Sequence, residues 1–334
     1  PALADRLAAL LREGGETNMV RLLDAIQALL NGTPPDSEEI AVVPLADPFP
    51  WDWQDDPGAT VGVVLYRAQL QAGDTALAQH LNQALRERGL RPRLIWVSSL
   101  RDPAVQAGVL DLLRSQGAQV VISGTAFASV TTEQAGLGSA LWDSLDRPVL
   151  QLLTAGTSRE RWQQSSRGLE PLDLSLQVVM PELDARVTTR PCAFRQARPP
   201  LGGLATAITT QQPDRDGINW LVEHAACWID LQDTPAKHRR MAMVLANYPV
   251  RDGRVANGVG LDTPASVVNI IGRLADAGYQ RGEHPIPSNG DRLIASLLAG
   301  RTNSAEGRYR PPLDHLPLET YQAWWDTIPS EAKA

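Results

Sequence analysis

The sequence predicts an α/β protein: a parallel-sheet domain of the flavodoxin or Rossmann kind, a second, incomplete α/β unit after it, and a helical hairpin in front. Three observations predict this. Between residues 61 and 153 short apolar runs alternate with amphipathic helical stretches, the rhythm of a parallel sheet covered on both faces. The carboxyl ends of those runs carry small hydroxyl residues and glycine, as loops at one rim of such a sheet do. Strand, polar loop, Asp-Thr, amphipathic helix and Gly follow one another at 61–89 and again at 241–278, as two copies of one plan would.

Taken in order, Leu3, Leu7, Leu10 and Leu11 form a helical stripe that Gly14 and Gly15 stop. Met19, Leu22, Leu23, Ile26 and Leu30 form another, stopped by Asn31 and Gly32. Helices this short are marginal alone, so the hairpin, 1–32, must pack on something else. Residues 33–59 are rich in Pro and Asp and read as a linker or wrapping segment. The sheet domain is 60–198, with strands at 61–66, 94–97, 120–122 and 148–153. A helix over 75–87 turns Leu77, Leu81, Ala84 and Leu85 inward. Asp102 caps the next helix, Pro103 opens it, and Val105, Val109, Leu112 and Leu113 are its apolar face. Thr157 and Glu160 have capping-box spacing. Strands are expected at 177–179 and 187–189 around the turn 181–184.

Prolines and glycines between 196 and 216 mark a boundary, so the second unit is 199–334. Its first helix presents Trp220, His224, Cys227 and Leu231 on one face. His224 and Cys227 are spaced for a metal pair, but further ligands are missing and a packed histidine is expected. A buried strand is expected at 241–246. After residue 262 comes a helix with Thr263 as cap, Pro264 at its first position, Val267, Ile271 and Leu274 on one face, and Gly278 as its stop. The residues beyond Gly278 hold too few strands for a second sheet, and Pro1 falls inside a helical pattern. A piece of a longer chain is therefore expected.

A net charge of −7 argues against a general nucleic-acid binder. No apolar run reaches the roughly 18 residues that a membrane span needs. Two cysteines, Cys192 and Cys227, make no disulfide framework and fit a reducing cytoplasm. Dinucleotide fingerprint, phosphate-loop lysine motif, nucleophile elbow and HExxH are all missing. The chemistry left is recognition. The candidate is the loop 247–262, well beyond the usual length of a βα connection, with Asn247, Tyr248, Arg251, Asp252, Arg254, Asn257 and Asp262. Ser123 and Thr125 sit at a strand end, where such hydroxyls can bind a ligand but more often cap a helix or turn the chain. Arg167 and Glu170 lie in a polar turn that lines a cleft or is simply solvated. Arginine suits carboxylates and asparagine suits amides.

The stretch NYPVRDGRVANGVGLDTPAS, with GSALWDSLDRPVLQ at 138–151, SSRGL at 165–169 and MPELD at 180–184, closely resembles the CobN/magnesium chelatase large-subunit family. It is nearest to the large subunit of aerobic, ATP-dependent cobaltochelatase. The resemblance covers most of the chain and implies an early portion of that subunit, which holds tetrapyrrole and metal. It implies Co²⁺ as the substrate metal and the corrinoid precursor hydrogenobyrinic acid a,c-diamide as the ring. It also implies an AAA+ ATPase subunit and an integrin-I-domain-type subunit as partners, with ATP and Mg²⁺ used there, besides the rest of the large subunit. On this reading the piece alone inserts no metal. Two alternatives stay open: a scaffold module that docks partners, and a magnesium chelatase subunit acting on protoporphyrin IX.

Overall fold

The structure is a computed structural model and describes residues 2–129, 140–199, 207–247, 252–280 and 285–333. The chain divides into two compact units, Pro1–Gln232 and Asp233–Ala334. The first holds the sheet. Helices α1 (Ala2–Glu13) and α2 (Glu16–Leu30) form the expected hairpin. Leu10, Ala25 and Ile40 make its small core, and Gln71 Nε2 donates to the carbonyls of Arg12 and Glu13. The outer positions Leu11, Leu23 and Leu30 of the predicted stripes are exposed.

The wrapping segment contributes β1 (Phe49–Trp51). Then come β2 (Thr60–Tyr66), α3 (Arg67–Gln71), α4 (Ala76–Glu87), β3 (Arg91–Val97), α5 (Pro103–Ser115), β4 (Ala118–Ser123), α6 (Ala140–Leu145), β5 (Val149–Ala155) and α7 (Arg159–Gln164). A helical stretch succeeds them: α8 (Pro171–Leu174), a π-helical turn (Ser175–Val179) and α9 (Met180–Glu182). The unit ends with β6 (Val187–Arg198), β7 (Ile208–Pro213) and α10 (Arg215–Asp233).

The sheet order is β1-β3-β2-β4-β5-β6-β7. The five strands from β3 to β6 are parallel, and β1 and β7 are antiparallel edges. Counted among the parallel strands alone, this is the flavodoxin-like order 2-1-3-4-5. Its strands are buried on both faces, which is why they read as continuous apolar runs. One face packs on Leu77, Leu81 and Leu85 of α4 and Ile218, Leu221 and Ala225 of α10. The other packs on Val105, Val109 and Leu113 of α5 and Leu141 and Trp142 of α6.

Four expectations change. Residues 177–179 are not a strand but lie in the π-helical turn, because the chain there lies over the sheet rim instead of joining its edge. The boundary expected at 199 is bridged by the β6–β7 hairpin. The face of α10 that packs is Ile218, Leu221, Val222, Ala225, Ala226 and Ile229, and Trp220 and Leu231 face outward. Small residues decide this. A Cβ on Gly217 would collide with the carbonyl of Pro191, so only the glycine and alanine side comes close to the sheet. His224 stacks on Trp220 at 4.8 Å on the outer side of the helix.

The fourth concerns the second unit. No strand forms at 241–246; Met241, Met243 and Val244 are exposed, and the only pairing there among the described residues is an isolated bridge between Asn247 and Val255. An apolar run signals a wish for burial but supplies no neighbour to pair with. Among the described residues this unit is built on α11 (Thr263–Asp276), α12 (Gly290–Leu298), α13 (Leu318–Asp326) and a short α14 (Ser330–Lys333).

Candidate functional site

In an open parallel sheet ligands bind beyond the carboxyl ends of the strands, where the strand order reverses. Here that is the end of β2, with β3 on one side and β4 on the other. A cavity of about 310 Å³ lies there, lined by Tyr66, Ser98, Ser99, Leu100, Arg101, Ala126, Phe127 and Ala128. The last residue of β2 and the loops after β3 and β4 contribute to it. The Tyr66 hydroxyl donates to the carbonyl of Ala126 at 2.7 Å. Burial pushes the Tyr66 phenol up from its ordinary value, with Arg186 and Arg101 pulling the other way.

Next to this opening the rim is closed by a buried network. The Arg186 and Asp184 side chains are fully buried and pair at 2.6 Å. Arg186 Nη1 also donates to Ser123 Oγ (3.2 Å), Thr125 Oγ1 (3.0 Å), the Thr125 carbonyl (2.9 Å) and Gln151 Oε1 (3.1 Å). Asp184 Oδ2 accepts from the backbone of Ser129 at 2.8 Å. Burial lowers the Arg186 pKa, opposed by Asp184. The π-helical stretch covers β5: Gln177 Oε1 accepts from the Thr154 amide (2.8 Å) and hydroxyl (3.1 Å), and its Nε2 donates to the Thr154 carbonyl (2.7 Å).

The predicted site residues are divided between the two units. Ser123 and Thr125 are at the rim but buried, and their hydroxyls serve Arg186. Arg167 is exposed, and Glu170 pairs with Arg161 at 3.1 Å. These four belong to the first unit. In the second, Asp262 is the N-cap of α11, its Oδ1 accepting from the Ala265 amide at 3.0 Å; Thr263 comes next in the helix. Asp252 Oδ2 accepts from Ser304 Oγ at 2.9 Å and pairs with Arg310 at 3.5 Å. Asn247, Arg254 and Asn257 are exposed, and their side chains make no hydrogen bond among the described residues. Tyr248 and Arg251 lie outside the described residues. Among the described residues no group of His, Cys, Asp and Glu is placed to hold a metal ion. Burial pushes the Cys192 thiol up to about 12, so it is no nucleophile.

Comparison with known proteins places the whole chain. Residues 8–334 match the model of the CobN/Magnesium Chelatase family. The chain belongs to that family. The aerobic cobaltochelatase subunit CobN of a Sinorhizobium species is 34% identical over 98% of this chain, and that of Pseudomonas aeruginosa 36% identical over 83%. The H subunit of magnesium chelatase from Rhodobacter capsulatus is 24% identical over 85% of it. A solved structure, the catalytic subunit of cobaltochelatase from Mycobacterium tuberculosis, superposes with a TM-score of 0.75 at 25% identity over 98% of the chain. The chain spans about a quarter of the length of these relatives, 27% of the first and 22% of the second.

For this CobN-family chain, sequence reasoning missed Arg186, Arg101 and Phe127. Of the cavity's lining only Ser98 and Ser99, two of the small hydroxyl residues that end the apolar runs, carried a signal. Arg101 and Phe127 lie just beyond two strand ends, where unremarkable loop residues also lie. No helix among the described residues is long and apolar enough to cross a membrane.

Proposed function

We propose that the chain is a portion of the tetrapyrrole- and metal-binding large subunit of cobaltochelatase, working in cobalamin biosynthesis. In this reading Co²⁺ enters hydrogenobyrinic acid a,c-diamide. An AAA+ ATPase subunit and an integrin-I-domain-type subunit supply the ATP hydrolysis, with Mg²⁺, and the setting is the cytoplasm. The observation that carries it is the ordering of relatives: those named for cobalt stand at 34% and 36% identity, the magnesium one at 24%.

Within the chain the roles divide by what each side chain already touches. Asp252 and Asp262 are taken up by protein partners, so Arg254, Asn257 and Asn247 are left to face a ligand, with Arg251 and Tyr248 beside them in sequence. Guanidinium donors on carboxylate arms and amide donors on amide arms orient the ring without chemistry of their own. The inserting groups are expected in the rest of the large subunit, so this chain with the partner subunits, Co²⁺ and ATP should give no insertion. In the complete large subunit, Arg251→Ala and Arg254→Ala should each raise the KM for the corrinoid about tenfold, the usual scale of one charge-assisted contact. Unchanged KM in both would remove the loop from substrate recognition.

A second reading, a docking scaffold, has its own observation. Val259 is 99% exposed and Val244 93%, and Leu261 is also exposed, and apolar side chains fit a protein surface better than an acid-bearing ring. Val259→Asp separates the two. It should leave tryptophan quenching by tetrapyrrole intact and weaken assembly if the loop docks protein. The magnesium reading is tested by offering protoporphyrin IX and Mg²⁺ in the same assay.

A further inference from the structure

The rim cavity holds a cation with no ion-pair partner among the described residues and an aromatic ring in a strained position. The Arg101 guanidinium lies over the Phe127 ring, 5.3 Å from its centroid. Arg101 is exposed, and its guanidinium makes no hydrogen bond or ion pair among the described residues. Phe127 has φ 64, a left-handed conformation that a residue with a Cβ rarely adopts. It is held there from both sides. Its amide donates to the carbonyl of Leu176 at 2.9 Å, and its carbonyl accepts from Arg186 Nη2 at 3.3 Å. The ring is therefore turned outward, 40% exposed, by a network that is itself buried. Backbone strain of this kind persists only where the surroundings over-determine it, and it gathers at ligand sites.

The other walls set the ligand. Leu100 is buried at the floor, and Ala126 and Ala128 are apolar. Ser99 Oγ accepts from the Arg101 amide at 3.1 Å, which fixes the start of the arginine. The Ser98 hydroxyl is engaged by no described group, while its amide donates to Asp47 Oδ1 at 3.1 Å. Asp102 adjoins Arg101 and caps α5. Asp47 pairs with Arg67 at 4.0 Å and Asp102 is taken up as a helix cap, so the positive charge offered to a ligand is that of one guanidinium, which balances a single negative charge and not two. A planar fork of donors matches a planar carboxylate. A volume of about 310 Å³ is at the small end of ligand sites. We propose that this cavity binds a monocarboxylate with a short flat apolar body, its acid group on Arg101 and Ser98 and its body between Leu100 and Phe127. The inference stands apart from the chelatase reading.

The test uses the whole chain and 3-phenylpropionate as probe, followed by calorimetry and amide NMR shifts. Saturable shifts confined to residues 98–101 and 126–128 are expected. Arg101→Ala should weaken binding about tenfold or more, and inorganic phosphate should bind at least about tenfold more weakly than the probe. Phe127→Gly suits the left-handed backbone, so it should fold at least as stably and still lose affinity. A porphyrin bearing propionates that displaces the probe would identify the carboxylate as an arm of a larger ring; no displacement would identify a free acid. Binding that ignores Arg101→Ala, shifts that fall elsewhere, or phosphate binding as tightly as the probe would each overturn the proposal.

Discussion

Two arginines stand at the same rim of the same sheet in opposite circumstances. Arg186 has no exposed side-chain surface, pairs with Asp184 and reaches the loop after β4 and Gln151 within β5. Arg101, one loop away, is exposed and, among the described residues, has only an aromatic face against it. The difference is in what each has to hold. The loop of residues 124–129 has carbonyls turned inward, and a buried guanidinium with several donors satisfies them where water does not reach. The loop after β3 satisfies itself through Ser99 and Asp102 and leaves its arginine over. One half of the rim is thus built for shape and the other is available for contact.

Removing Arg186 should break the first half. Arg186→Met leaves Asp184 charged and buried beside orphaned carbonyls, so a loss of about 3–5 kcal/mol in urea unfolding is expected, as for other broken buried pairs. Arg186→Lys should recover little of it, since one ammonium cannot reproduce the fork. A loss under about 1 kcal/mol would mean that the network is not what closes this half. Gln177→Ala comes next. It strips three hydrogen bonds from half-buried Thr154, and about 1–2 kcal/mol is expected, with faster amide exchange at the end of β5.

How much of this was legible in the sequence depended on whether the deciding neighbour was local. The α5 start was legible because Asp102-Pro103 is a cap and first-turn pair; Asp102 Oδ1 does accept from the Ala104 amide at 2.8 Å. The inward face of α4 was legible because only one of its sides is apolar. Two caps slipped by one residue. Ser158 caps α7 beside the expected Thr157, and Asp262 caps α11 beside the expected Thr263. In both places the better capping type, Ser or Asp over Thr, takes the position, and two adjacent capping residues are separated for certain only by the backbone angles. The α10 face was misread because both sides carry apolar groups and the close contact at Gly217 is non-local. Arg186 was silent for the same reason. Its partners Ser123, Thr125 and Gln151 are 63, 61 and 35 residues away. The hydroxyls of Ser123 and Thr125, which suggested a ligand at the rim, turn to that arginine.

On the open half, Asp102→Ala should lower stability by about 1 kcal/mol, the loss of one helix cap and nothing more. The smallest expected effect separates the two halves most sharply. Arg101→Ala removes a guanidinium on which no described group depends, so stability should stay within about 0.5 kcal/mol of the parent in thermal and urea unfolding. The residue that resembles Arg186 in kind and place would then differ from it several-fold in its contribution to the fold. A loss comparable to that of Arg186→Met would show that Arg101 also holds the rim together. The open half would then be a second structural clamp, and its cavity a gap left between two supports.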